Sequence, residues 1–135
     1  MIKPISAESF QRTFETLITP NLHIAAKSKR ILLISGGNQG KLAQYQRIHE
    51  QGIKIIVLDA PDHWAKVCVE TGLIEAFIPV DLSERESLFD EVLDAIVDSG
   101  LFFDEVLTFS DAAAALAARL AYTMGLSDSF GIVLH

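Results

Sequence analysis

The run Ile31-Leu-Leu-Ile-Ser35 passes directly into Gly36-Gly-Asn-Gln-Gly40 and Lys41, and a second apolar run, Ile53-Lys-Ile-Ile-Val-Leu58, ends on Asp59. Four apolar residues in succession suit a strand buried on both faces, which is the pattern of a parallel sheet rather than of an alternating antiparallel one. Gly36, Gly37 and Gly40 permit backbone angles and close approaches that a Cβ forbids. A helix opening near Gly40 then turns unsatisfied N–H groups and the positive end of its macrodipole toward the turn, a setting that favours a phosphate or a carboxylate.

Read as G-x-G-x-x-G, the turn aligns on Ser35, Gly37 and Gly40, with serine in place of the first glycine. Asp59 stands at the end of the second strand, where a ribose-binding carboxylate belongs in a dinucleotide site. A Walker A reading needs glycine at position 35 and Ser or Thr at position 42; the chain has Ser35 and Leu42, which argues against P-loop chemistry and leaves Lys41 as a helix-surface lysine. Glycines at a strand–helix junction also occur simply to form a tight turn, so the motif alone leaves a ligand turn and a plain turn both open.

The 135 residues make one domain the expectation, enough to bury about two-thirds of the unfolded chain's surface. Hydrophobic content of 50% excludes a disordered chain, and no apolar run reaches the roughly 18 residues of a membrane span. A formal charge of −7 argues against a phosphate-backbone partner, because the sole basic cluster is Lys27-Ser-Lys-Arg30. Neither nucleic acid nor membrane is an expected partner. Cys68 stands alone, so an internal disulfide is excluded, and Met1-Ile-Lys-Pro-Ile5 lacks the apolar core of a secretory leader. The expected compartment is the cytoplasm.

Ser6 is placed to cap a first helix with Phe10, Phe14, Leu17 and Ile18 on one stripe, stopped by Pro20-Asn21. The pattern then predicts a strand at 31–35, a helix at 40–51, a strand at 53–58 and a helix from Asp62, as N-cap, to Thr71. A third strand near 76–80 leads into Ser83-Glu-Arg-Glu86, a capping box, and a helix with Leu88, Val92, Leu93, Ile96 and Val97 on one stripe. A fourth strand at 105–109 precedes an alanine-rich helix capped by Ser110 or Asp111, and Phe130 to Leu134 has the makings of a short edge strand. The expected fold is therefore α/β: a Rossmann-like three-layer arrangement of four or five mostly parallel strands with helices on both faces, plus an N-terminal helix. The expected organisation is a helical extension at 1–29, the α/β domain at 30–126 and a tail at 127–135. Ligands of such sheets bind beyond the carboxyl ends of the strands. That rim comprises residues 35–39, 59–63, 81–83 and 109–111.

Within the rim the expected substrate or anion contacts are Gly36, Gly37, Asn38, Gln39, Gly40, Asp59 and Ser110. His63 is placed to titrate near a ligand and Trp64 to stack on one, although a solvated histidine and a tryptophan packed on the sheet are the commoner outcomes. Asp59 and Asp62 flank Pro61, but a capping role for Asp62 removes it from any acid/base pair. Cys68 reads as a small buried hydrophobe, Glu84 to Glu91 as a solvated helix start, and His23, His49 and His135 have no metal-ligand spacing. No catalytic residue and no metal ligand is assigned.

Three stretches in order, Ile31-Leu-Leu-Ile-Ser-Gly-Gly-Asn-Gln-Gly-Lys-Leu-Ala43, Gly52-Ile-Lys-Ile-Ile-Val-Leu-Asp59 and Phe77-Ile-Pro-Val-Asp-Leu-Ser83, followed by the alanine-rich run Phe103 to Leu126, resemble the amino-terminal domain of ATP-grasp ligases. The closing run is most similar to amino-acid ligases such as carnosine synthase, and less so to the carboxylases of purine synthesis. The resemblance covers about residues 30–126. It implies a parent enzyme that joins a carboxylate to an amine through an acyl phosphate, with ATP and Mg2+ held by central and carboxyl-terminal domains rather than by this chain. It implies for this chain a supporting role: Gly36 to Gly40 face the cleft and help hold an amino-acid or carboxylate substrate, without activity alone. Residues 127–135 depart from the family's continuation, and the first helix has no counterpart in it, which leaves a packing role or a homodimer contact. Two other readings stand beside this one: a free-standing nucleotide- or dinucleotide-binding module, and a non-enzymatic interaction domain.

Overall fold

The computed structural model describes residues 4–5, 29–126 and 132–134. Strands β1 (Pro4–Ile5), β2 (Arg30–Ile34), β3 (Lys54–Asp59), β4 (Ala76–Pro79), β5 (Glu105–Thr108) and β6 (Ile132–Leu134) form one sheet in the order β1-β6-β5-β2-β3-β4. Every pairing is parallel, with Leu33 facing Val57 on one side and Leu107 on the other. The α/β expectation holds, and the sheet is larger than anticipated. Pro4–Ile5 supplies an edge strand, and Ile132–Leu134 lies between β1 and β5 rather than at an edge. The anticipated helix at residues 6–18 lies outside the described residues.

Buried runs explain why β2 and β3 sit at the centre. Ile31 to Ile34 and Ile55 to Val57 are each at most 2% exposed, and side chains alternate between the two faces. Ile31, Leu33, Ile55 and Val57 pack with Tyr45 and Ile48 of helix α1 (Leu42–Glu50) and with Ala65 and Cys68 of a 3-10 helix (Trp64–Val69). Leu32, Ile34, Ile56 and Leu58 pack with Val92 and Ile96 of α2 (Leu88–Ser99) and with Ala117, Leu120 and Ala121 of α3 (Ala114–Thr123). At about 1.5–3 kcal/mol per fully buried aliphatic side chain, these two layers dominate stability. Cys68 behaves as a small hydrophobe, its thiol pushed up by burial.

Several local expectations are corrected. Residues 62–71 form no α-helix: the segment is the 3-10 helix Trp64–Val69, and its cap is His63, whose ring accepts a hydrogen bond from Ala65 N, rather than Asp62. The capping box at Ser83–Glu86 does not form. Asp81 Oδ1 takes the Ser83 N–H instead, while Arg85 reaches forward to Glu91 at 2.8 Å, so residues 81–85 stay irregular and α2 starts at Leu88. Arg85 and Ser87 hold the Glu91 carboxyl down to about 2. Val97 is 67% exposed, off the stripe set by Val92 and Ile96.

Arg30 at the start of β2 pairs with Glu75, its Nε 2.7 Å from Oε1. The Arg30 hydrogen bond holds the Glu75 carboxyl below its ordinary range, with Lys54 adding to the effect. A carboxylate whose folded value is depressed stabilises the fold above its unfolded value and loses that contribution as pH falls through the folded value. The stability gap between the wild type and Glu75→Gln is therefore expected to be full at neutral pH and to close on acidification below about pH 4.5. Urea titrations at stepped pH measure it, and a gap independent of pH contradicts the assignment.

Candidate functional site

The chain runs from β2 to β3 and β4 on one side, then returns to place β5 on the other side of β2. The reversal opens a crevice beyond the carboxyl ends of β2 and β5, the position where open parallel sheets bind ligands. Ser35 and Phe109 close the ladder there: Ser35 N donates to Leu58 O, and Phe109 N donates to Ser35 O. Immediately afterwards the backbone turns over. Ser35 has φ 63°, the one left-handed non-glycine residue described, and Gly37 has φ 76°. Ser35 is the residue that stands in place of the fingerprint's first glycine, so the backbone conformation of a glycine position is kept with a hydroxyl added.

Four side chains clamp the turn from the α1 side. Tyr45 Oη donates to Gly36 O at 2.8 Å, and Trp64 Nε1 donates to Gly37 O at 2.8 Å. Asp59 Oδ2 accepts from Gly36 N at 2.9 Å, while its Oδ1 accepts from Ala60 N at 2.7 Å. His63 uses one ring nitrogen, Nδ1, as the acceptor for Ala65 N, which assigns the proton to Nε2. Nε2 then donates to Gly37 O at 2.8 Å and lies 3.2 Å from Asp59 Oδ2. Burial pushes the Tyr45 phenol well above its ordinary range, with Asp59 acting in the same direction, so Tyr45 stays a neutral donor. Phe109 stacks on Tyr45 with centroids 6.3 Å apart, and Lys41 Nζ sits 5.1 Å from the Phe109 ring centre.

The clamp decides what the turn can offer. Both glycine carbonyls point inward, onto tyrosine, tryptophan and histidine donors. Asn38 caps the 3-10 turn Gln39–Lys41 by accepting from Gly40 N at 2.8 Å, and Lys41 N donates to Asn38 O. The N–H groups of Gly37, Asn38 and Gln39 have no acceptor among the described residues. Asn38 and Gln39 are exposed and Gly37 is half-buried, so this stretch of backbone is open to a ligand. The arrangement can hold an anionic oxygen without any rearrangement of the clamp.

Of the seven anticipated contacts, Gly36 to Gly40 and Ser110 lie around the crevice, with Gly36 buried beneath it. Asp59 lies under the turn and both of its oxygens are engaged by backbone N–H groups. Trp64 and His63 serve the turn's carbonyls. Ser35 falls within the anticipated rim without an assigned contact, and Tyr45 is a site residue that the sequence reading did not include. A signal existed for both: a buried tyrosine needs a partner for its hydroxyl, and Ser35 occupies a glycine position of the fingerprint. Among the described residues no group of three or more His, Cys, Asp or Glu is placed to hold a metal ion. No helix among them is long and apolar enough to cross a membrane. A cavity of about 410 Å3 opens at the opposite end of the sheet, lined by residues such as Lys54 and Glu75 that are already paired with each other.

A parallel α/β sheet with a glycine turn at its reversal point defines a Rossmann-like domain. The family model of the ATP-grasp N-terminal domain matches residues 45–127, and this chain belongs to that family. It is similar to the ATP-grasp enzyme fsqD of Aspergillus fumigatus, with 31% identity over 93 residues, or 67% of this chain. The matched stretch is 16% of that protein's length. No solved structure matches the chain.

Proposed function

We propose that this chain is the substrate-side domain of an ATP-grasp ligase that joins an amino acid or similar carboxylate to an amine through an acyl phosphate. The observation that carries the reading is the set of N–H groups on Gly37, Asn38 and Gln39 that no described residue accepts from, on a turn whose carbonyls are clamped at the sheet's reversal point. In the reaction these groups bind and orient a carboxylate, and Lys41 adds a nearby positive charge. ATP and magnesium supply the activation of that carboxylate and are held by further domains; the chain's own part is to place one substrate and to keep it there. The nucleotide-module alternative has less support, since both Asp59 oxygens already accept backbone hydrogen bonds where a ribose would need them.

Full-length protein is expected to release ADP with a suitable acid and amine, whereas residues 1–135 alone are expected to release none. A coupled ADP assay with pairs of amino acids decides this, and turnover by the isolated chain overturns the reading. Calorimetry of the same chain with NAD, NADP and ATP addresses the alternative; micromolar binding lost on Gly37→Val would favour a nucleotide module.

A further inference from the structure

Strand alternation predicts that Ser35 points to the α1 face, in line with Ile31 and Leu33. It does not. With φ 63° it lines a cavity of about 230 Å3 whose other walls are Leu82, Leu88, Ser110, Ala112, Ala113 and Leu116. The three leucines and Ala113 pack with the α2/α3 layer, so after the left-handed turn Ser35 borders a space on that side of the sheet. Such a backbone conformation in a residue with a Cβ persists where its surroundings enforce it, and it marks functional positions. The hydroxyls of Ser35 and Ser110 have no hydrogen-bond partner among the described residues, although both side chains are half-buried.

We infer that this cavity is the side-chain pocket for the carboxylate substrate and that it selects a small branched aliphatic amino acid. Identification as a substrate pocket rests on the ligase reading; the ligand chemistry rests on the cavity alone. Its walls are leucine and alanine methyl groups without a charged residue, which disfavours acidic and basic side chains. Its volume is below the roughly 300–1,000 Å3 of pockets for drug-sized ligands, which limits the occupant to a small group. The two serine hydroxyls supply polar contacts for the ligand's ammonium or carboxylate. Both Ser35 and the donor turn follow the same strand end, so a ligand can meet the N–H groups of Gly37 to Gln39 and the cavity together.

Isothermal titration of the full-length protein without ATP tests this, using L-leucine, L-valine, L-aspartate, L-lysine and L-tryptophan as probes. Leucine and valine are expected to bind and the other three to bind at least about tenfold more weakly. Ala113→Leu, which fills the cavity, is expected to weaken leucine binding about tenfold or more. Ala112→Leu, at an exposed position on the same wall, gives the same direction if Ala113→Leu fails to fold. Ser35→Gly suits the left-handed backbone, so a several-fold loss of affinity without loss of thermal stability isolates the hydroxyl. Leucine binding no tighter than aspartate, or unchanged in the folded filling variant, overturns the pocket. ADP release reads the ligase separately: leucine binding lost in Ala113→Leu but never accompanied by turnover removes the ligase and keeps the pocket. Ligation of a polar acid by a folded Ala113→Leu protein, undiminished, does the reverse.

Discussion

Gly36→Val is expected to lower the unfolding free energy by about 3 kcal/mol or more, combining overpacking with a buried carbonyl that loses its donor. A Cβ at Gly36 would overlap the Tyr45 hydroxyl and stand 3.2 Å from both His63 Cε1 and Val57 Cγ1. None of these neighbours has room to retreat. Tyr45 is fully buried, between the Trp64 ring at 5.2 Å and the Phe109 ring at 6.3 Å, and Val57 is at the centre of the sheet. Gly37 provides the contrast. Its positive φ makes any side chain strained, but the closest atom to its Cβ is Lys41 Cγ at 2.7 Å, part of a flexible chain that can move. Gly37→Ala is therefore expected to cost about 1–2 kcal/mol, the price of the left-handed backbone. Urea denaturation of both variants orders them. A Gly36→Val midpoint no lower than that of Gly37→Ala would show that the clamp yields easily.

What could be read from the sequence follows from how locally each feature is determined. The runs Ile31 to Ile34 and Ile55 to Leu58 announce central parallel strands because both faces must be covered, and they are covered. The glycine turn announces a site at the carboxyl end of its strand, whereas its place at the reversal point depends on β5 pairing with β2 and is set only by the folded sheet. The strands at Pro4–Ile5 and Ile132–Leu134 were less legible: the first is two residues long, and its order depends on pairing with the far end of the chain. The capping box failed through competition, since Asp81 and Glu91 offer Ser83 N and Arg85 better partners than a helix start does. Asp62 lost its capping role to His63 by the same kind of substitution of one acceptor for another. The clamp itself was invisible because its members lie on α1, β3 and the segment after β3, and only the folded sheet brings Tyr45, Asp59, His63 and Trp64 to one turn. Ser35 shows both sides of the matter. Its place in the fingerprint is written in the sequence, while its left-handed backbone and its place beside the α2/α3 layer appear only in the fold.

Asp59→Ala is expected to destabilise the fold by about 2–4 kcal/mol and to abolish the ordered presentation of the turn. The carboxylate accepts two backbone N–H groups and lies against His63 Nε2, with its side chain 14% exposed. Truncation leaves the N–H of buried Gly36 without its acceptor, a loss of about 1–3 kcal/mol for such a group, and removes a charge-assisted bond to Ala60 N. Asp59→Asn keeps one acceptor oxygen but turns an amide donor toward a donor, so an intermediate loss is expected. The same positions separate two roles for the residue. A carboxylate that contacts ligand directly would give up affinity in Asp59→Asn with little change in stability. A carboxylate that positions the turn gives up both together, and its effect is not additive with that of His63→Ala, because each substitution loosens the same Gly36–Gly37 segment. A double-mutant cycle in urea, read beside the titration of the full-length protein with L-leucine, carries the distinction: coupling above about 0.5 kcal/mol marks the clamp. Additive losses of stability, with affinity falling only in the Asp59 variants, would return Asp59 to the role of a ligand contact.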